Sequence, residues 1–273
     1  MKLAQTTQYE PPFLSVIVPI FKQEKTIHKD LQNILQTLAA TPYEFEVLAV
    51  VDGSKQDNSL QEVKKIKDKR LKAIGYEENR GKGYAVRYGM KEAKGDIVTF
   101  IDGGMDIDPL GITMLLEHMR WYNADIIIGS KLHPASIVEY PIQRKILTYG
   151  YYLLVKTLFG LQVRDTQTGL KAYKRQVLAK VLPRLIVKKF AFDIEILAVA
   201  HHLGYQRIYD APVKVNLDWS NTTIKLWGEN GILNMLQDTL AVYYRLRIKK
   251  FYDDDYQQER LFDHVLKMFV NKP

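Results

Sequence analysis

Leu14-Ser15-Val16-Ile17-Val18-Pro19-Ile20 is a run of strand length in which five of the seven residues are aliphatic. Apolar side chains at consecutive positions predict a strand covered on both faces, as in parallel sheets. A helical pattern follows over Glu24–Ala40, and Phe45–Val51 reads as a second strand ending at Asp52-Gly53-Ser54. Asn58–Lys69 reads as a polar helix, Leu71–Gly75 as a short strand and Lys82–Lys94 as a helix. Asp96–Ile101 is the next strand, Pro109–Met119 a helix with proline in its first turn, and Ala124–Gly129 another buried strand. This alternation predicts an α/β fold with a parallel, doubly wound sheet and helices on both faces. Ligands of such sheets bind beyond the carboxyl ends of the strands. Those ends are Pro19–Glu24, Asp52–Asp57, Asp102–Asp106 and Ser130–Lys131, and three of the four carry acids.

The chain has 273 residues and no cysteine, which excludes disulfides, cysteine-ligated zinc, iron–sulfur clusters and thiol catalysis. Its net charge of +8 admits nucleic acid, anionic lipid or phosphorylated ligands as partners. The charge is local. Lys131–Phe190 holds 12 Lys and Arg against Glu139 and Asp165, a segment of +10 that leaves the rest of the chain at −2. Met1–Pro12 is polar and lacks the apolar region of a signal peptide. The longest membrane-like stretch, Ile146–Val163, is interrupted by Lys156 and carries Tyr149, Tyr151 and Tyr152. It reads equally as a buried amphipathic helix or as one lying on a membrane surface.

Two glycine motifs fail on spacing. Gly81-Lys82-Gly83 lacks the spacing and the Ser or Thr of a Walker phosphate loop, and no glycine fingerprint follows the first strand. Asp102-Gly103-Gly104-Met105-Asp106 places two acids four residues apart at a strand's carboxyl end. Two such acids can hold Mg²⁺ or Mn²⁺ with few protein ligands, or equally form a turn ahead of the Pro109 helix.

Several motifs in order resemble the family 2, inverting, GT-A-type glycosyltransferases, nearest to the dolichyl- or polyprenyl-phosphate mannosyl and glucosyl synthases. Val18-Pro19-Ile20-Phe21-Lys22-Gln23-Glu24 resembles that family's opening Val-Pro-x-Tyr-Asn-Glu-Glu. Val51-Asp52-Gly53-Ser54 with Asp57 resembles Asp-Asp-Gly-Ser-x-Asp, and Asn79-Arg80-Gly81-Lys82-Gly83 the Asn-x-Gly-Lys-Gly loop. Ile128–Lys131, Arg144-Lys145 with Thr148, Arg164–Gly169 and Phe192–Glu195 match later elements. The resemblance spans about residues 13 to 250.

It implies a GT-A fold, Rossmann-like and mostly parallel; towards the C-terminus the pattern itself reads as amphipathic helices, one over Gly228–Lys250 and one more over Gln257–Val270. The implied organisation is a polar tail at 1–12, a glycosyltransferase domain at 13–218 and a helical extension at 219–273. The domain would divide into a nucleotide-sugar half at 13–130 and an acceptor half at 131–218. Pro19, Phe21, Glu24, Asp52, Lys82, Asp102 and Gly103 would bind the nucleotide sugar, and Asp102 with Asp106 the metal, Mg²⁺ or Mn²⁺. Gly104 stands where the family has the second acid of Asp-x-Asp. Lys131, Arg144 and Thr148 would hold an acceptor phosphate, while Asp165 orients the loop and Asp193 positions the sugar or the basic groups. Asp102, Lys131, Arg144, Asp165 and Asp193 would be the residues of catalysis.

The implied activity moves a hexose from GDP-mannose or UDP-glucose to a polyprenyl or dolichyl phosphate. A phosphate acceptor is already anionic near neutral pH and needs positioning more than deprotonation. The implied location is the cytoplasmic face of a membrane, peripherally bound, with an integral-membrane partner subunit as a candidate anchor. A transferase acting on a saccharide hydroxyl, which requires a carboxylate base, and a non-catalytic sugar-nucleotide-binding subunit are the alternatives. Nucleic acid is excluded as a partner, because acids at the strand ends would repel a phosphate backbone.

Overall fold

In the computed structural model Leu14–Ile20 is the strand β1, and its alternate residues serve two different cores. Ile17 faces one side of the sheet with Leu48, Val50 and Phe100, while Val16 and Val18 face the other with Val47, Ala49 and Ile101. That double burial is why the strand is continuously apolar. The structure describes residues 10–139, 142–187, 191–216, 232–253 and 260–271.

Around β1 run α1 (Ile27–Ala39), β2 (Phe45–Asp52), α2 (Ser59–Lys65), β3 (Leu71–Tyr76), α3 (Lys82–Glu92), β4 (Ile97–Ile101), α4 (Leu110–Trp121) and β5 (Ile126–Ser130). The chain continues through α5 (Ile142–Phe159), β6 (Leu170–Lys174), α6 (Arg175–Val181), α7 (Phe192–His202), β7 (Ile208–Pro212) and α8 (Ile232–Tyr243). The strand order is β3-β2-β1-β4-β6-β5-β7. α1 buries Ile27, Leu31, Ile34, Leu35 and Leu38 at helical spacing against one face, and α3 packs on the other.

The sheet is parallel except for β6, which runs antiparallel to both β4 and β5. This reversal matters for the site. It sets the start of β6 beside the end of β4, with Leu170 paired to Ile101, so the Asp165–Gly169 loop arrives at the carboxyl ends of its parallel neighbours.

The C-terminal expectation needs correction. α8 is present and runs into a wider turn at Tyr244–Ile248, but the segment read as a further amphipathic helix, Gln257–Val270, contains a hairpin. Its strands are β8 (Arg260–Asp263) and β9 (Met268–Asn271). The spacing of Phe262, Leu266 and Phe269 imitates a helix, but the backbone turns at His264–Lys267, with Lys267 left-handed at φ 49°. The expected junction at 218/219 lies outside the described residues.

Candidate active site

The carboxyl ends of β1, β2 and β4 stand side by side and deliver Pro19, Asp52 and Asp102 to one edge of the sheet. Asp52 is buried, and its two oxygens accept the N–H groups of Arg80 at 2.7 Å and Gly81 at 2.9 Å. The carboxylate therefore pins the loop before α3, where Gly81 adopts φ 95°, a value that disfavours a side chain. Glu24 works similarly: it accepts from Asn58 N at 2.9 Å and Asn58 Nδ2 at 3.1 Å, tying the loop after β1 to the loop after β2. Phe21 is exposed beside them with Lys22 Nζ 5.3 Å from its ring centre. Gly103 lies so close to Gln23 and the Pro19 carbonyl that a Cβ there would meet Gln23 Oε1 at 2.7 Å.

The pinned loop presents Lys82 to Asp102, with Nζ 2.8 Å from Oδ1 and 2.9 Å from Oδ2. Burial pulls the Lys82 proton affinity down, but Asp102, Asp193 and Asp106 together outweigh it and hold it above the usual lysine value. Asp106 moves the other way for an acid. Burial raises it first and the neighbouring Asp102 charge adds to this, against Lys82 and Lys131.

Across the site, Lys131 follows the end of β5. Its Nζ is 2.7 Å from Asp165 Oδ2 and donates to Thr168 Oγ1 at 3.0 Å. Asp165 is 2% exposed, and although burial opposes its ionisation, Lys131 keeps its proton affinity below the ordinary carboxylate value. The same oxygen accepts Lys131 N at 3.2 Å, so Asp165 fixes both ends of that lysine.

Asp193, at the first turn of α7, is ion-paired to Lys171 of β6. Lys171 was not singled out in the sequence. It is fully buried, donates to Thr168 O at 2.6 Å and lies 5.1 Å from the Phe100 ring centre. Lys82 Nζ is 5.7 Å from the same ring. Two ammonium groups thus share one aromatic ring beneath the site. Burial drives the Lys171 proton affinity down, against Asp193. The available signal was its position two residues after Gly169, inside a strand too short and too charged to be read as one. Glu195, the other acid of that motif, is fully buried and accepts from Ile186 N, Val187 N and, at 2.7 Å, Tyr252 Oη. It braces a loop.

Arg144 and Thr148 are one turn apart on α5, both half-buried. α5 is held beside the Asp165–Gly169 loop by Tyr151, whose hydroxyl is 2.9 Å from Thr239 Oγ1 and accepts from Gln167 Nε2 at 3.5 Å. Among the described residues, no group of three or more His, Cys, Asp or Glu is placed to hold a metal.

The family model described as Glycosyl transferase family 2 matches residues 15–182. The dolichyl-phosphate beta-glucosyltransferase of Drosophila melanogaster is 34% identical over 247 residues, covering 85% of this chain and 74% of its own length. The protein of that name from Dictyostelium discoideum is 26% identical over 248 residues, with the same coverage of 85% and 74%. Among solved structures, Mycobacterium tuberculosis glucosyl-3-phosphoglycerate synthase with Mn²⁺, UDP-glucose and phosphoglyceric acid superposes with TM-score 0.62 at 16% identity, covering 96% of this chain and 87% of its own. Mannosyl-3-phosphoglycerate synthase from Rubrobacter xylanophilus gives TM-score 0.63 at 12% identity over 96% and 87% of the two chains. At these identities the two structures speak to the fold.

Proposed function

The chain belongs to glycosyl transferase family 2 and is an enzyme of the GT-A fold; from this premise we propose that it moves glucose from UDP-glucose to a polyprenyl or dolichyl phosphate at a membrane surface. The names of its relatives support the sugar and the acceptor. The observation that carries the reading is the pairing of the acids. Asp165 is bound to Lys131 and Asp193 to Lys171, so both carboxylates are already engaged by cations and neither stands free to face a hydroxyl. A saccharide hydroxyl needs a base, whereas a phosphate monoester arrives ionised. Two fixed ammonium groups, Lys82 and Lys131, flank the Asp102–Asp106 pair, and both bear on Asp106. That arrangement suits two anions brought together.

In this scheme Lys82 receives the donor's diphosphate, and Lys131, with Arg144 and Thr148, receives the acceptor phosphate. An acceptor oxygen attacks the anomeric carbon from the face opposite the diphosphate. The bond to the leaving oxygen breaks, and configuration inverts. The chain's contribution is alignment and fixed positive charge among partly buried side chains. A divalent ion, Mg²⁺ or Mn²⁺, fits Asp102 and Asp106. Two carboxylates are enough when diphosphate and water complete the sphere, and the proton affinity of Asp106 is raised partly by Asp102, a repulsion that a cation relieves. Bound there, it would neutralise the leaving diphosphate.

No helix among the described residues is long and apolar enough to cross a membrane. The membrane contact we propose is the outer stripe of α5, where Ile142, Ile146, Tyr149 and Leu153 are exposed at helical spacing. Incubating the protein with radiolabelled UDP-glucose, or with GDP-mannose, and dolichyl phosphate in Mg²⁺ or Mn²⁺ tests the reaction. Label from UDP-glucose should enter the lipid extract; none from either donor under either metal refutes the reading.

A further inference from the structure

The C-terminal hairpin lies outside the residues matched by the family model, yet it reaches the helix that carries Lys82. Its turn holds one carboxylate oxygen of Asp263 in place with the N–H groups of Val265 and Leu266, both at 2.9 Å. Leu266 is fully buried, and Asn271 Nδ2 donates to Phe251 O at 3.3 Å, so the hairpin is seated on the body of the protein.

Both oxygens of Asp263 lie 3.1 Å from the hydroxyl of buried Tyr84, which donates to the carboxylate. That hydroxyl in turn accepts from Arg80 Nη1 at 3.2 Å. The Arg80 guanidinium also lies against the rings of Tyr84, at 5.1 Å, and Tyr76, at 5.8 Å. The Arg80 and Gly81 amides are the ones that Asp52 holds. One turn beyond Tyr84, Arg87 is 3% exposed, and its Nε and Nη2 find no hydrogen-bond partner among the described residues. Asp263 and Glu195 are the carboxylates whose charge acts on it. A buried guanidinium without an anion nearby is costly; Glu195 first and Asp263 after it answer Arg87, and Asp263 also answers Arg80.

We propose that the C-terminal hairpin is part of the donor-binding structure, with Asp263 a positioning residue that holds the Asn79–Lys82 loop through Tyr84 and Arg80. The consequence for the donor rests on the function proposed above; the hold on the loop does not. Asp52 grips the loop from the sheet side and Asp263 grips it from the far end of the chain. Losing either grip frees the backbone that aims Lys82.

The test uses the full chain and two mild variants. Asp263→Asn keeps an acceptor for the Val265 and Leu266 amides but loses the charge, and Tyr84→Phe removes only the relaying hydroxyl. By hydrogen exchange, the Arg80 and Gly81 amides should exchange about tenfold faster in both variants, with β1 and α7 unchanged. Unchanged exchange at Arg80 and Gly81 overturns the proposal, and so does an equal increase throughout the chain. In the transfer assay, the donor KM should rise about fivefold with kcat held within about twofold, and the double variant should be no worse than either single one. A kcat loss without a KM rise overturns the positioning role. If the wild type transfers nothing, the proposed function fails, and the exchange result still decides whether Asp263 holds the loop.

Discussion

Gly169 and Gly104 bracket Asp102 in opposite senses. A Cβ on Gly169 would fall 1.8 Å from Asp102 Oδ2, closer than any contact can be, whereas one on Gly104 would meet nothing nearer than Asp106 Oδ1 at 3.8 Å. The first glycine is therefore the wall that sets the Asp102 rotamer, and the second is open room beside Asp106. Gly169→Ala should displace the Asp102 carboxylate from Lys82 and lower transferase kcat/KM by about a hundredfold, the cost of misplacing a group at the reacting centre. Thermal unfolding should shift little, because Asp102 is half-exposed at the rim of the fold. A loss of activity no larger than the loss of folded protein would contradict this account. Gly104→Asp should place a third carboxylate next to Asp106 and tighten Mn²⁺ binding about tenfold by calorimetry, through ligand number and charge. Unchanged affinity would mean that the ion does not sit at this pair.

At the scale of elements, α5 has a buried face and an exposed one. Val155 and Phe159 are buried, and Tyr151 is tied to Thr239 of α8, while Ile142, Ile146, Tyr149 and Leu153 form the outer stripe. Ile146→Glu with Leu153→Glu should reduce co-sedimentation with phosphatidylglycerol vesicles about fivefold or more, leaving thermal stability intact, since both side chains already face water. Equal vesicle binding by wild type and variant would refute the membrane contact proposed for α5. The inner elements of the fold were legible because burial on two faces leaves a local mark. Leu14–Ile20 and Phe45–Asp52 are apolar nearly throughout, and the structure places them as adjacent parallel strands. β6, with the sequence LKAYK, was not legible, since its two lysines argue against a central strand. Lys171 is tolerated there because Asp193, 22 residues on, neutralises it. The C-terminal hairpin failed for a related reason: its turn is specified by Asp263 bonding to Val265 and Leu266 and by docking on Tyr84, 179 positions away. At the site, Lys82, Asp102, Lys131 and Asp165 were legible as residues of ordered motifs. Their division into ion pairs was not, because pairing depends on the antiparallel placement of β6.

The whole molecule combines carboxylates that favour folding in opposite pH ranges. Asp165 and Asp263 have proton affinities below the ordinary carboxylate value; burial works against this, while Lys131 in one case and hydrogen bonds from Leu266 and Tyr84 in the other prevail. Each contributes stability that is present above the unfolded-chain pKa and is lost as pH falls through the folded one. Asp210 in β7 is the reverse. Burial pushes it up to about 6 from 3.8, although the Arg164 N–H donates to it at 3.0 Å. The folded state therefore binds this proton more tightly than the unfolded chain does. Its contribution is fully present below 3.8 and is lost as pH rises through about 6. Above that, the ionised carboxylate costs about 2 kcal/mol, allowing for its partial contact with solvent. Asparagine is nearly the same shape, can still accept from the Arg164 amide and carries no charge. Asp210→Asn should therefore stabilise the protein by about 2 kcal/mol in urea unfolding at pH 7.5, with the gain fading towards zero near pH 4. The gain should appear without a change in the denaturant slope, since no surface is newly buried. A variant that is no more stable than the wild type at pH 7.5, or equally favoured at both pH values, would show that Asp210 is not held against its charge.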